Sequence, residues 1–367
     1  MDTEGHINEA RAAAATTTTN PWKGKKLFAN PRWAEKLEPI YQSYKERGDK
    51  ENAAKVKILQ GTGTFVWISN TSNLPDIDQA IASARAKEKS TKVQQIVGLV
   101  LYNIPGRDFS GGLSGSQFLP TKEGLTAYKE TFVKPFAAKV AAAKDLNFAI
   151  ILEPDVIGNL VTNTDSKFVR EYAPIYERGT ALAIMSLQFS HVALYIDAAN
   201  SGWTGWDGTL EPTAKWLAKI LKRAKDASEG RTIKIRGFST NVSNFNWFNA
   251  NPRENFTQWS RSWDESHYIW SLVPYLKQAG LPLRFIVDQG RVALPGARKS
   301  GADWANVAPS RFGIRPGTAV QNQYVDSIVW VKPPGESDGE GMGYLGAPRA
   351  GVWFPEYVKM MVNNTKF

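Results

Sequence analysis

Seven short apolar runs, separated by longer segments with helical periodicity, constrain the fold of this 367-residue chain more than any other feature. The runs are rich in β-branched residues and are bounded by polar residues, Gly or Pro, as buried strands are. They cover residues 65–69, 96–104, 148–152, 191–196, 233–238, 283–287 and 327–331. Between them, apolar residues recur at three- and four-residue spacing, notably over 121–143, 172–186, 212–226 and 264–278, which predicts helices.

A strand followed by a helix, repeated without a break in composition, predicts a parallel sheet with both faces covered. Seven such units fit one closed or nearly closed barrel better than two small domains. We therefore predict an α/β fold over residues 20–367: a single distorted, seven-stranded parallel (β/α) barrel, similar to a TIM barrel. In such a fold the active-site cleft or tunnel lies at the C-terminal strand ends. Residues 1–19, which end in a run of Ala and Thr, predict a flexible tail or linker.

Composition excludes several kinds of site. The chain has no cysteine, which rules out a disulfide, a thiolate zinc site and a cysteine nucleophile. With three histidines in all, no metal and no cofactor are expected. No segment approaches 18 consecutive apolar residues and no signal-peptide pattern is present, so no membrane partner is expected.

The net charge of +10 raises the alternative of a nucleic-acid binder. The basic residues are spread along the chain, however, and are mixed with apolar residues as on a solvated helix face. The tryptophans lie near carboxylates, which repel phosphate. No nucleic-acid partner is therefore expected.

Polar side chains follow each predicted strand from the second onward, at ends that gather on one face of a parallel barrel. They are Asn103, Arg107, Asp108, Glu153, Asp155, Asp197, Asn241, Asn244, Asp288, Arg291, Lys332, Glu336 and Asp338. Any one of them has a simpler explanation as a cap or turn residue. Together with Trp203 and Trp206 they indicate a glycoside hydrolase, whose reaction needs a protonated acid and a second carboxylate or a relayed water.

Seven segments at the strand ends carry a more specific signal. They are YNIPGRD (102–108), ILEPDVIGNLVTN (151–163), YIDAANSGWTGW (195–206), GFSTNVSNFN (237–246), DQGR (288–291), FGIRP (312–316) and WVKPPGESDG (330–339). In this order they resemble segments of glycoside hydrolase family 6, the cellobiohydrolases and endoglucanases that act on β-1,4-glucan, and residues 151–163 resemble its acid-bearing segment. The resemblance covers about residues 20–367 and is to a fungal-type catalytic domain without cysteines.

The resemblance implies catalytic roles for five residues. Asp155 would be the general acid, and Asp108 the neighbouring carboxylate that raises the pKa of this acid. Tyr102 would press on the sugar ring at the cleavage subsite, and Ser114 would hold the attacking water. Asp338 would be the candidate base, acting directly or through a chain of waters.

Further residues are implied to bind the substrate. Lys332, Glu336, Asn241 and Arg291 would bind sugar hydroxyls or orient the carboxylates, while Trp67, Trp203, Trp206 and Trp304 would be stacking platforms. Core packing is the alternative for the tryptophans. Asn200 is a further candidate for substrate binding, at a position where the family commonly has a histidine. Glu153 is a rival to Asp155 as the acid, because residues two apart share a face of an extended chain. The family pattern favours Asp155 and makes Glu153 a structural hydrogen-bonding partner.

The sequence departs from the fungal pattern at the expected cysteines and at one loop. One cysteine pair is replaced by Phe109 and approximately Phe168, and the other by Ala305 and a shortened loop. This is consistent with replacement by packing or with a protein made in a reducing compartment. Residues 339–352 form a shorter segment than the loop that roofs the tunnel of processive members. An open roof favours mid-chain attack, although residues 110–119 are a second candidate for covering the cleft.

We predict an inverting hydrolase of β-1,4-glucosidic bonds that releases mainly cellobiose, as a cellobiohydrolase of the non-reducing-end type. An endo-β-1,4-glucanase and a catalytically silent glucan-binding protein on the same scaffold are the alternatives. The expected partners are cellulose, cello-oligosaccharides or a related β-glucan, bound by a monomer. The resemblance implies secretion, although the absence of cysteines leaves an intracellular location open.

Overall fold

The strand Gln95–Leu101 has three parallel neighbours in the computed structural model, which describes residues 19–109 and 112–367. The strands are β1 (Lys26–Leu27), β2 (Val66–Ile68), β3 (Gln95–Leu101), β4 (Asn147–Leu152), β5 (Val192–Asp197), β6 (Gly237–Thr240), β7 (Phe285–Asp288), β8 (Val292–Ala293), β9 (Ser310–Arg311) and β10 (Val325–Val329). The main sheet runs in the order β1-β3-β4-β5-β6-β7-β10 and is parallel throughout, with β2 also paired to β3. Strands β8 and β9 form a separate antiparallel pair.

The sheet curls into a nearly closed barrel. Strands β1 and β2 pair with the beginning and the end of β3 on the same edge, so they share one of seven positions around the described barrel. The gap between this position and β10 is bridged by a hydrogen bond from Phe65 N to the Trp330 carbonyl at 3.0 Å. The indole Nε1 of Trp67 adds a second bridge, to the Val331 carbonyl at 2.9 Å. The architecture confirms the predicted seven-stranded parallel barrel.

Helices surround the barrel. They are α1 (Pro31–Glu46), α2 (Lys50–Gln60), α3 (Leu74–Thr91), α4 (Lys122–Ala127), α5 (Lys134–Ala142), α6 (Val156–Thr162), α7 (Ala173–Ser186), α8 (Ser201–Thr204), α9 (Asp207–Asp226), α10 (Glu265–Gln278) and α11 (Pro355–Asn364). Wider π-helical turns, Tyr128–Val133 and Phe168–Tyr172, precede α5 and α7, and short 3₁₀ turns cover Thr71–Asn73 and Asn255–Thr257. Within the described residues, every helix is too short or too polar to cross a bilayer.

Alternation along the strands separates two hydrophobic layers. In β4, Ala149 and Ile151 point into the barrel, whereas Phe148, Ile150 and Leu152 pack in the outer cluster under the helices. Burying a side chain of this size contributes roughly 1.5–3 kcal/mol, so both layers stabilise the barrel. The same inward and outward alternation continues to the strand ends and determines which residues can reach the cleft.

A third apolar cluster lies near the bridged gap of the barrel. There Trp33 and Leu37 of α1 pack with Trp330, which follows β10, and with Tyr357 and Met361 of α11. The indole Nε1 of Trp33 also donates to the Pro334 carbonyl at 3.1 Å. This packing holds the beginning of α1 beside the loop after β10, and so brings both to the edge of the cleft.

Two strands end earlier than predicted, at points where the following backbone N–H groups donate to buried carboxylates instead of to a neighbouring strand. The run 96–104 ends as a strand at Leu101, because the N–H groups of Asn103 and Ile104 donate to Glu153. Similarly, β10 ends at Val329, and the N–H groups of Val331 and Lys332 donate to Asp288. The run 233–238 was predicted too early, since β6 is Gly237–Thr240; Ile233 and Ile235 are instead buried in the outer cluster.

Two side chains near the beginning of the described chain attach it to the barrel. The side-chain Nδ2 of Asn20 donates to the Asp326 carbonyl at 2.8 Å, and Trp22 Nε1 donates to Tyr195 Oη at 3.0 Å inside the barrel. The tail predicted for residues 1–19 lies outside the described residues except for Thr19.

Candidate active site

A cleft at the carboxyl ends of the strands consists of two adjoining cavities. We name them the Lys332 cavity, of ≈ 800 Å³, and the Trp203 cavity, of ≈ 490 Å³. The Lys332 cavity is lined among others by Trp67, Tyr102, Leu113, Ser114, Lys332, Glu336 and Asp338, and the Trp203 cavity by Asn159, Thr162, Asn200, Gly202 and Trp203. Four residues line both: Asp108, Asp155, Ser243 and Trp304. The two carboxylates therefore lie where the cavities meet.

Asp155 enters the cleft through a backbone turn at the start of α6. Its φ of 71° is left-handed, which is uncommon for a residue with a side chain and is typical of functional sites. The turn is held by the Asp155 N–H, which donates to Oδ2 of the buried Asp197 at 3.1 Å. In the cleft, Tyr102 Oη donates to Asp155 Oδ2 at 3.3 Å.

The surroundings of Asp155 favour its protonated form. Burial, and then the negative charge of Asp108, raise the pKa of the Asp155 carboxyl to about 7. A carboxyl group with this pKa still holds a proton at mildly acidic pH and can donate it, as a general acid must.

Asp108 is held by the loop that follows it. Its backbone is also left-handed, with φ of 60°, and its Oδ2 accepts hydrogen bonds from Leu113 N at 2.7 Å and Ser114 N at 2.5 Å. The loop thus wraps around the carboxylate and brings Ser114 to the cleft. This arrangement fixes Asp108 as the charged neighbour of Asp155.

Arg107, which was noted in the sequence but given no role, anchors this loop. Its guanidinium donates to the carbonyls of Ser114 at 2.7 Å and Gly115 at 3.0 Å. The same group lies 4.4 Å from the ring centroid of Tyr102 and also donates to the Tyr102 carbonyl. Its bonds therefore join the Ser114 loop to the tyrosine that contacts Asp155.

Asp338 lines the Lys332 cavity and belongs to a buried ion-pair network. Arg291 Nη1 donates to both of its carboxylate oxygens, at 2.9 and 2.7 Å, and Asn306 N donates to Oδ2 at 2.8 Å. Lys332 Nζ lies 3.9 Å from Asp338 Oδ1, and burial lowers the pKa of this lysine. Ser243 Oγ, at 3.4 Å from Oδ1, connects the network to the residues shared by both cavities.

Glu153 does not face the cleft. Its carboxylate is buried and accepts hydrogen bonds from Tyr128 Oη at 2.6 Å and from the N–H groups of Asn103 and Ile104 at 3.0 Å each. Burial raises its pKa to about 7, as for Asp155, so the pKa does not separate the two carboxyl groups. Their contacts distinguish them, because Glu153 is bonded to Tyr128 and to the backbone that follows β3, whereas Asp155 lines the cleft.

Three of the four candidate stacking tryptophans line the cleft. Trp67 meets Tyr102 edge to face with ring centroids 5.2 Å apart, and Trp304 lines both cavities. Trp203 donates through Nε1 to Thr162 Oγ1 at 2.8 Å and packs against Gly158, where an added Cβ would lie 2.6 Å from the indole. Trp206 lines neither cavity, and its Nε1 donates to the Gly202 carbonyl at 3.1 Å.

The remaining candidates divide between the cleft surface and the layer beneath it. Glu336 lines the Lys332 cavity and accepts a hydrogen bond from Lys36 Nζ at 3.0 Å. Asn200 lines the Trp203 cavity, and its Oδ1 caps α8 by accepting from Gly202 N and Trp203 N at 3.1 and 3.2 Å. Asn241 and Arg291 are fully buried and line neither cavity. Their contacts orient neighbouring groups rather than reach a ligand.

The sequence analysis did not single out Ser243, which lines both cavities, or Asn306, which is fully buried and lines neither. Ser243 lies in the segment 237–246, so the motif was a usable signal for it. Asn306 exchanges hydrogen bonds with Asp338 in both directions, at 2.8 Å from its own N–H and at 2.9 Å from Asp338 N to its Oδ1. No local pattern around Asn306 indicates this pairing across 32 residues.

The segment 339–352 folds back on the body of the protein beside the Lys332 cavity. Ser337 N donates to the Val352 carbonyl and Tyr344 N to the Asn306 carbonyl, both at 2.9 Å. Gly339, with φ of 148°, lies against Leu113, and a Cβ there would be 2.5 Å from that side chain. The loop after Asp108 and the segment after Asp338 therefore touch at the Lys332 cavity.

Within the described residues, no group of three or more His, Asp or Glu side chains is arranged to hold a metal ion. The cleft instead provides hydrogen-bonding groups, two adjacent carboxylates and aromatic faces. This combination suits a long neutral polyhydroxyl ligand, whose ring faces stack on aromatics and whose hydroxyls bond polar groups.

The chain matches known proteins over nearly its whole length. A model of the glycosyl hydrolases family 6 matches residues 22–365. The 1,4-beta-D-glucan cellobiohydrolase CEL6B of Podospora anserina is 55% identical over 346 residues, which are 94% of this chain and 82% of that protein. The solved structure of endoglucanase CEL6B from Humicola insolens has a TM-score of 0.90 and 47% identity, and the match covers 95% of this chain and 99% of that one. A family 6 enzyme from Coprinopsis cinerea, CcCel6C, also has a TM-score of 0.90, with 38% identity over 94% of this chain and 98% of its own.

Proposed function

The chain belongs to the glycosyl hydrolases family 6, and from this membership and its cleft we propose that it hydrolyses β-1,4-glucosidic bonds in cellulose and cello-oligosaccharides with inversion. The observation that carries the proposal is the position of Asp155. Its carboxyl group lies where the two cavities meet, with a pKa raised to about 7 and Asp108 beside it. A glucan chain that fills both cavities brings a glycosidic oxygen to this group.

Asp155 acts as the general acid in this reaction. Its proton passes to the glycosidic oxygen as the bond to the anomeric carbon breaks, so the leaving sugar departs as an alcohol. The carboxylate of Asp108, held by Leu113 N and Ser114 N, keeps the proton on Asp155 before the reaction. The same negative charge stabilises the positive charge that develops on the sugar ring in the transition state.

Tyr102 and Ser114 act at the same bond. The Tyr102 ring is clamped between Trp67 and the Arg107 guanidinium, with centroid distances of 5.2 and 4.4 Å. This rigid aromatic surface favours a distorted sugar ring at the cleavage subsite. Ser114, at the cleft end of the Asp108 loop, holds the water that attacks the anomeric carbon.

Asp338 is the base that accepts the proton of the attacking water, either directly or through further water. Its place after β10, away from Asp155 after β4, suits an inverting enzyme, in which water attacks from the face opposite the leaving group. Both of its oxygens accept hydrogen bonds from Arg291, which favours a relay over direct contact. The expected first product is the α-anomer.

The remaining cleft residues bind the glucan. Trp67 and Trp304 in the Lys332 cavity, and Trp203 in the Trp203 cavity, offer aromatic faces to sugar rings. Lys332 and Glu336 bond sugar hydroxyls in the Lys332 cavity, and Asn200 does so at its edge of the Trp203 cavity. Arg291 and Asn241 keep the neighbouring carboxylates and carbonyls in place.

We infer cellobiose release from the non-reducing chain end as the main mode of action. The contact between Leu113 and Gly339 supports it, because a loop contact at the cleft restrains a bound chain. Endo-acting hydrolysis is the second candidate, favoured by the short segment 339–352 and by the endoglucanase among the similar structures.

Product analysis tests both levels of the proposal. Hydrolysis of cellohexaose is expected to give α-cellobiose as the first product. Proton NMR of the fresh hydrolysate, recorded before mutarotation, detects this anomer. A β-anomer as the first product would contradict inversion. On carboxymethyl cellulose, a strictly end-acting enzyme leaves the viscosity nearly unchanged, whereas an endoglucanase lowers it quickly. Absence of any hydrolysis by the wild type, with cello-oligosaccharide binding retained, would identify a silent glucan-binding protein.

We also propose that residues 20–367 form one catalytic domain that acts as a monomer and is secreted, because its polymeric substrate lies outside cells. Sedimentation of the purified protein tests the monomer. Immunodetection in culture medium and in cell extract of the source organism tests secretion.

A further inference from the structure

Trp259 exposes 87% of its surface to solvent and lines neither cavity. Single exposed apolar residues are common, so exposure alone carries no function. The indole is, however, the side chain best suited to stack on a sugar ring. Its position relative to the cleft is therefore informative.

The loop that carries Trp259 is anchored at several points. Glu254 Oε1 accepts from Arg298 Nε at 2.9 Å, and Ala250 N donates to the buried Asp264 at 2.9 Å. Close to the indole, Ser260 N donates to the Thr257 carbonyl at 2.9 Å. These contacts present Trp259 from a supported loop, which reduces the entropy lost when the side chain binds a surface.

The same loop packs against the segment that leaves the Trp203 cavity. Ser262 lies against Gly205, where an added Cβ would be 2.7 Å from Ser262 Cβ, and Arg261 Nε pairs with Asp207 Oδ1 at 2.6 Å. Between Gly205 and Asp207 stands Trp206, which is 36% exposed and bonds the carbonyl of Gly202, a residue of the Trp203 cavity. A continuous set of contacts thus leads from the cleft, through Trp206, to the loop of Trp259.

We propose that Trp259 is a docking residue for β-1,4-glucan outside the cleft, and that it extends the aromatic surface of Trp206 onto insoluble cellulose. The proposal rests on the proposed function and adds a contact beyond the cavities. A neutral glucan chain is the occupant because the surface continues the glucan cleft. The exposed Arg261–Asp207 pair, whose members lie within two residues of Trp259 and Trp206 in the chain, supplies donors and acceptors for sugar hydroxyls.

The test compares Trp259→Ala with Trp270→Ala. Trp270 is the control, because its indole is also exposed, at 45%, but lies away from the cleft. It packs on Tyr324, whose carbonyl accepts a hydrogen bond from Phe285 N at the end of β7 opposite the cleft. Binding to microcrystalline cellulose is measured by depletion from solution, and hydrolysis of soluble cellotetraose by product chromatography. For Trp259→Ala we expect about three- to tenfold weaker binding to cellulose, because one aromatic face is lost. The kcat/KM on cellotetraose should be unchanged. Trp270→Ala should leave both unchanged.

Two results would overturn the inference. Unchanged cellulose binding by Trp259→Ala would do so, as would an equal loss in Trp270→Ala, which would indicate non-specific adhesion of exposed indoles. Sedimentation adds a third arm: a wild-type dimer that Trp259→Ala abolishes, with cellulose binding intact, would assign the indole to a contact between two copies. The cellulose-binding measurement needs no turnover, so failure of the proposed hydrolysis shows separately, in the cellotetraose rate of the wild type.

Discussion

The rings of Phe109 and Phe168 are in contact, with centroids 5.0 Å apart and planes inclined at 53°. These are the positions where the fungal pattern leads one to expect a cysteine pair. Tyr172 completes the cluster, with its ring centroid 4.6 Å from that of Phe109. Aromatic packing therefore ties the loop after Asp108 to the helical segment before α7 without a covalent bond.

Phe168→Ala is expected to lower the free energy of unfolding by about 3–5 kcal/mol, because it empties a buried aromatic site. Urea denaturation followed by far-UV circular dichroism measures this. Val169→Ala is the matched control, since the neighbouring side chain is 53% exposed, and it should change stability by no more than about 0.5 kcal/mol. Equal stability of the two variants would show that the cluster does not replace a cross-link.

Asp155→Asn is expected to remove most turnover of cellotetraose while leaving cello-oligosaccharide affinity nearly intact. The amide fills the same space, but its N–H protons are not acidic, so it cannot protonate the leaving oxygen. Rates by product chromatography and affinities by calorimetry separate the two effects. Near wild-type activity in this variant would refute the assignment of the acid.

Glu153→Gln provides the contrasting case. Its carboxylate accepts hydrogen bonds from three groups, Tyr128 Oη and the N–H groups of Asn103 and Ile104, so the amide leaves one buried donor poorly matched. We expect a loss of stability of about 1–3 kcal/mol with a smaller effect on turnover than Asp155→Asn. The reverse order of activities would move the acid role to Glu153.

The activity of the wild type is expected to fall as the pH rises through about 7, the raised pKa of Asp155, because only the protonated carboxyl acts as the acid. Asp108 contributes to that raised pKa through its negative charge. Asp108→Asn removes the charge, so the pKa of Asp155 falls and the alkaline limb of kcat/KM moves to lower pH. A limb that stays in place or moves to higher pH would show that the charge of Asp108 does not set this pKa.

Arg291→Ala is expected to lower the free energy of unfolding by about 3–5 kcal/mol, since it leaves the buried Asp338 carboxylate without its main partner. Both side chains of this pair are only 1% exposed. Arg85→Ala is the control, because Arg85 and its partner Asp145 are both about half exposed. Such an exposed pair contributes less than about 1 kcal/mol to the free energy of unfolding. Similar urea midpoints for the two variants would contradict the structural role of Arg291.

Trp203→Ala is expected to weaken cellotetraose binding by about 1–3 kcal/mol, and Trp206→Ala by clearly less. The structure separates them, because Trp203 lines a cavity with Asp155 and Trp206 does not. Calorimetry in the Asp155→Asn background measures both without turnover. A larger effect of Trp206→Ala would place the sugar-binding surface outside the cavities.

The sequence by itself determined the architecture and the composition of the cleft. Alternating strands and helices predict a parallel barrel. The carboxyl ends of its strands meet on one face, so Asp108, Asp155 and Asp338 were predicted at the same mouth. The family was identified from the segments around them, and the match over residues 22–365 confirms it. Strand ends were less predictable, because Glu153 and Asp288 accept backbone N–H groups that otherwise continue the ladder.

Only the tertiary structure decided which of these residues line the cleft. Positive φ at Glu153 and Asp155 ends the extended conformation, so the two-residue alternation that made them equivalent does not apply. The pairing of Arg291 with Asp338, the contact of Leu113 with Gly339 and the packing of Ser262 against Gly205 join loops that are distant in sequence. Periodicity reports whether a residue is buried, whereas the partner it meets depends on how the whole chain is packed.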